Sequence, residues 1–251
     1  MDRGQTWLPL VALLIGAGIG LLDDFLEITQ STGGLSLKWR LMFVSLFGIV
    51  AGWWFYDKLD VSAVGIPFFG PFELGPLFIL FFWFVTIAIY ASGVIDGIDW
   101  LAGGIFGIIF LAYAGIAFAL EQVALAAFAS TVAGGIFAFL WFNVPPARFY
   151  MSETGSMALT LALAVTAFSS DVLGDGVGVA VLPIIAFPLT ATVLANVLQV
   201  ISKKVFKKKL FRIAPIHHHF ETMGWPPYKV TMRYWIITII AGVFGLTIAL
   251  L

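Results

Sequence analysis

Eight stretches of this chain are apolar for about as long as a bilayer is thick: residues 7–22, 39–56, 74–93, 101–119, 123–142, 157–170, 177–200 and 232–251. A hydrocarbon core of about 30 Å takes roughly 20 residues of helix, and within it each backbone N–H and C=O must be satisfied inside the protein. Runs of this kind therefore fold as membrane-spanning helices; the first and sixth are short and borrow flanking residues. Composition agrees, with 61% of 251 residues hydrophobic, 11% charged and a mean hydropathy of +1.04, outside the range of soluble domains. The expected class is an all-α polytopic membrane protein of about eight transmembrane helices, one integral-membrane domain over residues 1–251. The first stretch lacks a small-residue cleavage site and runs into Asp23 and Asp24, so it reads as a retained helix rather than a signal peptide. With no cysteine in the chain, disulfides and thiolate metal sites are excluded.

Eight crossings sort the connecting segments onto two surfaces. One carries Lys38, Arg40, Arg148, Lys203, Lys204, Lys207, Lys208, Lys209, Arg212, Lys229 and Arg233, the other only Arg3 and Lys58, a division of 11 against 2. By the positive-inside rule the first surface is cytoplasmic and both termini lie outside. On the external side, residues 60–76 alternate apolar residues with Gly and Pro, the pattern of a short β-hairpin.

The polar clusters then fall on the cytoplasmic surface: "GLLDDFLEI", "GVIDGIDW", "FNVPPARFYMSETGS" and "APIHHHFETMGW". Asp23 and Asp24 end the first span, where the negative end of the helix dipole opposes carboxylates. Asp96 and Asp99, three apart, would share a helix face. These acids read either as solvated helix ends or as oxygen ligands for Mg²⁺. Glu153, Thr154, Gly155 and Ser156 precede an apolar run and form a helix N-terminus with Thr154 or Ser156 as its cap, a geometry that also suits a phosphate. Tyr150 offers an aromatic face to a base or sugar. The run "KKVFKKKLFR" anchors the chain on anionic lipid, or draws in a polyanionic substrate, or both. His217, His218 and His219 are all the histidines of the chain; such a cluster can bind phosphate or pass a proton near neutral pH.

In this order the segments resemble the phospho-N-acetylmuramoyl-pentapeptide transferases, within the polyprenyl-phosphate N-acetylhexosamine-1-phosphate transferase superfamily. The most specific element is "APIHHHFETMGWPPYKVTMRYWII"; "GLLDDFLEI" is similar to the paired-aspartate motif, "GVIDGIDWLAGG" to the family's NLTDGLDGLA, and "LWFNVPPARFYMSETGS" to its LWFN..PA..FMGD.GS. The resemblance implies a Mg²⁺-dependent transfer of phospho-N-acetylmuramoyl-pentapeptide from UDP-N-acetylmuramoyl-pentapeptide to undecaprenyl phosphate, releasing UMP, at the cytoplasmic face of the bacterial inner membrane. It implies that Asp23 deprotonates or orients the lipid phosphate, that Asp24 and Asp96 support metal and phosphate, that Glu153 is the metal ligand, and that His217, His218 and His219 line the phosphate site. Lys38, Asp99, Asn143 and Tyr150 are implied in substrate binding, Asp99 and Tyr150 at uracil. The resemblance also allows a homodimer, with the lipid bilayer as surroundings and no nucleic-acid partner.

The chain departs from the family pattern in places. It begins at what resembles the family's third helix. Glu153 and Ser152 stand for Asp and Gly, Gly93, Ile95 and Trp100 for Asn, Thr and Gly, and Glu27 for Lys. A carboxylate one methylene longer moves a ligand by about 1.5 Å, and octahedral Mg²⁺ tolerates that poorly. A catalytically weak or silent homologue serving as a scaffold, or a related transferase for another UDP-N-acetylhexosamine, is therefore the rival reading. A transporter fits less well, because charge is confined to the ends of the spans.

Overall fold

The computed structural model describes residues 4–30, 33–171 and 176–251, with side chains from Trp7 onward. Arg3, counted on the external surface, and the 172–175 connection between the sixth and seventh apolar stretches lie outside the described residues. The helices are α1 (Gly4–Thr29), α2 (Leu37–Lys58), α3 (Leu77–Ser92), α4 (Leu101–Ala119), α5 (Val123–Asn143), α6 (Ser152–Asp171), α7 (Gly178–Ile185), α8 (Phe187–Val205), α9 (Ile216–Thr222) and α10 (Pro227–Ala249). Among the described residues six are long and apolar enough to cross a membrane, and α7 with α8, bent by 75°, form a seventh candidate. The eighth expected segment is α6, whose 20 residues reach about 30 Å at a rise of 1.5 Å each. Strands β1 (Ala63–Ile66) and β2 (Gly70–Glu73) pair antiparallel between α2 and α3, as the Gly/Pro punctuation implies.

Helix α6 is the axis of the bundle. Every residue from Ser156 to Ser170 is buried, so this helix meets protein rather than lipid and tolerates more polar residues than its neighbours. Its threonines cost little there because Thr160 and Thr166 donate back to the carbonyls of Ser156 and Ala162. Helix α1 lies directly against it through Gly16 and Gly20. A Cβ at Gly16 would come within 2.5 Å of Met157 O, and one at Gly20 within 2.3 Å of Glu153 O. Small residues four apart let two membrane helices approach to backbone contact, and here they fix the end of α1 against the first turn of α6.

The opposite side of the core is α4, almost wholly buried beneath α5 and α10. Near the hairpin end, Phe55, Phe78 and Phe82 pack around Phe168, with Phe82 and Phe168 stacked at 4.1 Å. Large apolar side chains such as Leu14, Leu46, Phe84 and Ile240 remain exposed on the outer helices; around a membrane bundle that surface faces lipid rather than water.

Candidate active site

The seam between α1 and α6 sets up the first wall of the site. Asp24 accepts the backbone N–H groups of Glu153 (3.2 Å) and Thr154 (3.0 Å), and the Thr154 hydroxyl as well. The cap of α6 is thus supplied by a different helix, not by Thr154 or Ser156 as the sequence implies. An anion at the positive end of a helix dipole is favourable, which offsets the poor position of Asp24 at the end of its own helix.

Asp23 is 2% exposed. It accepts the N–H of Leu35 and lies 3.7 Å from Arg40 Nη1. The same guanidinium forms an ion pair with Glu153, while its Nε donates to Leu35 O at 3.1 Å. Arg40 therefore ties together the α1–α2 loop, Asp23 and Glu153. Lys38, the expected substrate-binding cation, is exposed beside it. Sequence reading counted Arg40 only towards membrane orientation; its spacing of two from Lys38 carries no signal for which of the two turns inward.

The second wall is the 93–100 segment. Residues Gly93–Ile95 form a single 3₁₀ turn and the chain then leaves helical geometry, with Trp100 in the left-handed region at φ 72°. Asp96 and Asp99 consequently do not share a helix face, contrary to expectation. Asp96 is held by the Ser152 N–H, and burial pushes its carboxyl up to about 6, with Glu153 and Asp99 adding repulsion. Asp99 accepts the Ala147 N–H at 3.4 Å. The Asn143 amide is occupied by protein: its oxygen accepts the Trp100 N–H (2.9 Å) and its nitrogen donates to Phe149 O (2.7 Å). Asn143 thus joins the 93–100 and 143–151 segments. Tyr150 is 71% exposed.

The histidines close the third side. A Cβ built on Gly97 would lie 2.7 Å from His218 Nε2 and 2.8 Å from His217 Nε2, so only glycine lets this turn approach them so closely. His218 Nδ1 pairs with Glu221 at 2.5 Å, and His219 Nδ1 accepts the Arg212 N–H at 3.2 Å. His217 is fully buried, and both its ring nitrogens lack hydrogen-bond partners. Burial, then neighbouring His218, lower its pKa to about 4. Gln199, buried on α8, holds the basic loop above the histidines by accepting from Leu210 and Phe211 and donating to Phe211 O.

Asp23, Asp24, Asp96, Asp99 and Glu153 thus share one end of the bundle, with Arg40 paired to Asp23 and Glu153 among them. Their oxygen-only donor set, and the mutual repulsion that acts on Asp96, suit a hard divalent ion. Among the described residues no three of them, with or without a histidine, are arranged as a ready metal cage; Arg40 holds Glu153 meanwhile.

A polytopic bundle of apolar helices with an acidic, histidine-edged recess at one end defines the class, an integral-membrane protein. Comparison with known proteins makes the class specific. The family model described as Glycosyl transferase family 4 matches residues 6–171. Similar proteins include phospho-N-acetylmuramoyl-pentapeptide-transferases of Dichelobacter nodosus, 35% identical over 96% of this chain, Caldanaerobacter subterraneus subsp. tengcongensis, 33% over 92%, and Rubrobacter xylanophilus, 32% over 92%, with 72% of each relative covered. The chain belongs to glycosyl transferase family 4, among its phospho-N-acetylmuramoyl-pentapeptide transferases, and it is a membrane-embedded glycosyl-1-phosphate transferase.

Proposed function

We propose that this chain transfers phospho-N-acetylmuramoyl-pentapeptide from its UDP-linked donor to undecaprenyl phosphate, releasing UMP and leaving the first lipid-linked peptidoglycan precursor. The observation that carries this reading is the meeting of Asp23, Asp24, Asp96, Glu153 and the histidines at one end of an apolar bundle, where a soluble polyanion and a lipid-borne phosphate meet. By charge asymmetry that end faces the cytoplasm of a bacterial inner membrane. An oxygen of the acceptor phosphate attacks the sugar-linked phosphorus, and the bond from that phosphorus to the UMP oxygen breaks.

In this reading Asp23, sealed beside Arg40, orients the acceptor phosphate and takes its proton. Asp24 holds the first turn of α6, so that Glu153 stays at the edge of the recess. His218 and His219, fixed by Glu221 and the Arg212 N–H, present imidazole to the diphosphate, and Asp99 with Tyr150 receives the uracil. Mg²⁺, held by Asp96 and Glu153, would neutralise the diphosphate and the leaving UMP. The basic loop at 203–212 raises the local concentration of the anionic donor.

The Arg40–Glu153 ion pair favours one second reading, a weak or silent homologue in which arginine permanently takes the place of the cation. Detergent-purified protein with Mg²⁺, undecaprenyl phosphate and labelled UDP-N-acetylmuramoyl-pentapeptide separates them: labelled lipid is the expected result. No product from this or any other UDP-N-acetylhexosamine would establish the second reading, and product only from another sugar would reassign the donor.

A further inference from the structure

A cavity of about 610 Å³ lies between the hairpin and the end of α6 away from the recess. Asp60, Glu73 and Asp171 line it, set among the apolar side chains of Val61, Ile66 and Val177. Among the described residues no lysine, arginine or histidine lines it. The lysine nearest in sequence, Lys58, is engaged elsewhere: it pairs with Asp57 at 2.8 Å and lies over the Trp53 ring at 5.5 Å. Glu73 accepts the Ser62 hydroxyl at 3.0 Å, which satisfies one oxygen and leaves its charge without a counter-ion. The cavity is thus an acidic chamber that shares no residue with the recess.

Asp171 separates this chamber from an ordinary acidic surface. Its carboxyl is buried. Oδ1 accepts the Val179 N–H at 3.2 Å, while Oδ2 is buried without a hydrogen-bond partner. The donors around it are committed to backbone carbonyls: the Tyr113 hydroxyl to Gly178 O at 2.8 Å, Gln122 Nε2 to Ser170 O at 3.1 Å and Ser170 Oγ to Ala167 O at 2.7 Å. A buried carboxylate oxygen with no donor is costly. The donor that relieves it has to come from the cavity.

A bare divalent ion does not fit. It needs several oxygens within about 2.0–2.6 Å of one point, and among the described residues no three acids or histidines are so arranged. Separated carboxylates with hydrocarbon between them suit an organic cation, whose ammonium group carries three N–H donors and whose methylenes can lie against Val61, Ile66 and Val177. We infer that the cavity at the hairpin end binds a primary alkylammonium group, which donates to Asp171 Oδ2 and shares its charge with Glu73 and Asp60. The inference stands apart from the proposed transfer, since the recess lies at the other end of α6. Two sources carry this chemistry: a free diamine or polyamine, and the ethanolamine headgroup of a phospholipid.

Isothermal titration of the full chain in phosphatidylcholine nanodiscs, with hexamethylenediamine as ligand, tests the inference. Saturable binding is the expected result. Hexamethonium, the same chain with both nitrogens fully methylated, keeps the charge without an N–H and should not bind. Asp171→Asn should weaken diamine binding about tenfold, the equivalent of one lost charged hydrogen bond. Glu73→Gln, on the exposed strand of the hairpin, should weaken it severalfold and keeps the test decisive should Asp171→Asn misfold. Glu121→Gln removes an exposed acid of the α4–α5 connection that does not line the cavity, and should leave binding unchanged. In nanodiscs containing phosphatidylethanolamine, loss of diamine binding supports the site and assigns it to the lipid headgroup, whereas retained binding supports it and assigns it to a free amine. No binding in phosphatidylcholine, equal binding of hexamethonium, or losses at Glu121→Gln as large as at Glu73→Gln and Asp171→Asn would overturn the inference.

Discussion

Two residues where the family motif carries glycine, Ser152 and Trp100, both sit at positive φ, 53° and 72°. A side chain in the left-handed region costs about 1–2 kcal/mol, so the departures seen in the sequence are also places of backbone strain. Trp100 is held in it from both sides: its N–H goes to Asn143, its carbonyl accepts Trp235 Nε1 at 3.1 Å, and the two indoles approach to 6.3 Å. Ser152 has less to lose, since it is exposed. Ser152→Gly should raise the melting temperature by about 2–4 °C, the equivalent of about 1 kcal/mol in a chain of this size, as read by thermal unfolding in detergent. His217 carries a different strain. Its pKa falls from 6.5 to about 4 on burial, so the neutral ring contributes stability that is fully present above pH 6.5 and is lost as pH falls towards 4. Melting temperature should therefore drop across that window by the equivalent of on the order of 2 kcal/mol, and His217→Phe should flatten the drop. A wild-type curve without that drop would show that the ring is hydrated or paired in solution.

At the scale of helices, the apolar runs made six spans legible among the described residues, but not the 75° bend that breaks residues 177–200 into α7 and α8; Gly/Pro punctuation made the hairpin legible. Contacts between the spans were not legible. Gly16 and Gly20 look like ordinary small apolar residues in "GAGIG", yet they set how close α1 comes to α6, and with it the position of Asp24. The cap of α6 was misread for the same reason: local rules supply Thr154 or Ser156, whereas the acceptor arrives from a helix 129 residues away. A Cβ at Gly20 would overlap Glu153 O, while one at Gly18 meets nothing within 4 Å. Gly20→Leu must therefore push α1 off α6 and draw Asp24 from its N–H donors. A misplacement of about 1 Å at a reacting centre costs about 100-fold in rate, so Gly20→Leu should lower transfer by about that factor and Gly18→Leu should leave it intact. Equal rates for the two would separate the seam from the chemistry. Restoring the motif with Ser152→Gly and Glu153→Asp should act in the opposite sense. The shorter carboxylate withdraws from Arg40 and becomes free for a cation, so transfer should rise, or the Mg²⁺ needed for half-maximal rate should fall, in a metal titration.

Across the whole molecule, chemistry and charge are separated along one axis. The recess and the basic loop share one end of the bundle, while the hairpin, Lys58 and the exposed Phe68 and Phe69 occupy the connection between α2 and α3. The convergence of four distant motifs was the part of the site the sequence made readable, because alternating spans assign each motif to a surface before any contact is known. Which groups touch was not readable, since Arg40, Gln199 and Gly97 act through geometry that has no local signature. The same alternation gives a test at this scale, and the absence of cysteine makes it clean. Single cysteines at Lys207, in the exposed basic loop, and at Pro71, on the exposed strand of the hairpin, should react from opposite sides with a membrane-impermeant maleimide. In intact cells Pro71→Cys should label and Lys207→Cys should not, because alternating spans assign 11 of 13 basic residues to the surface that carries the basic loop and positive segments stay inside. In inside-out vesicles the pattern should reverse. The opposite result in both preparations would turn the recess outward, away from any cytosolic nucleotide sugar; labelling of both cysteines from one side would break the alternation of spans itself.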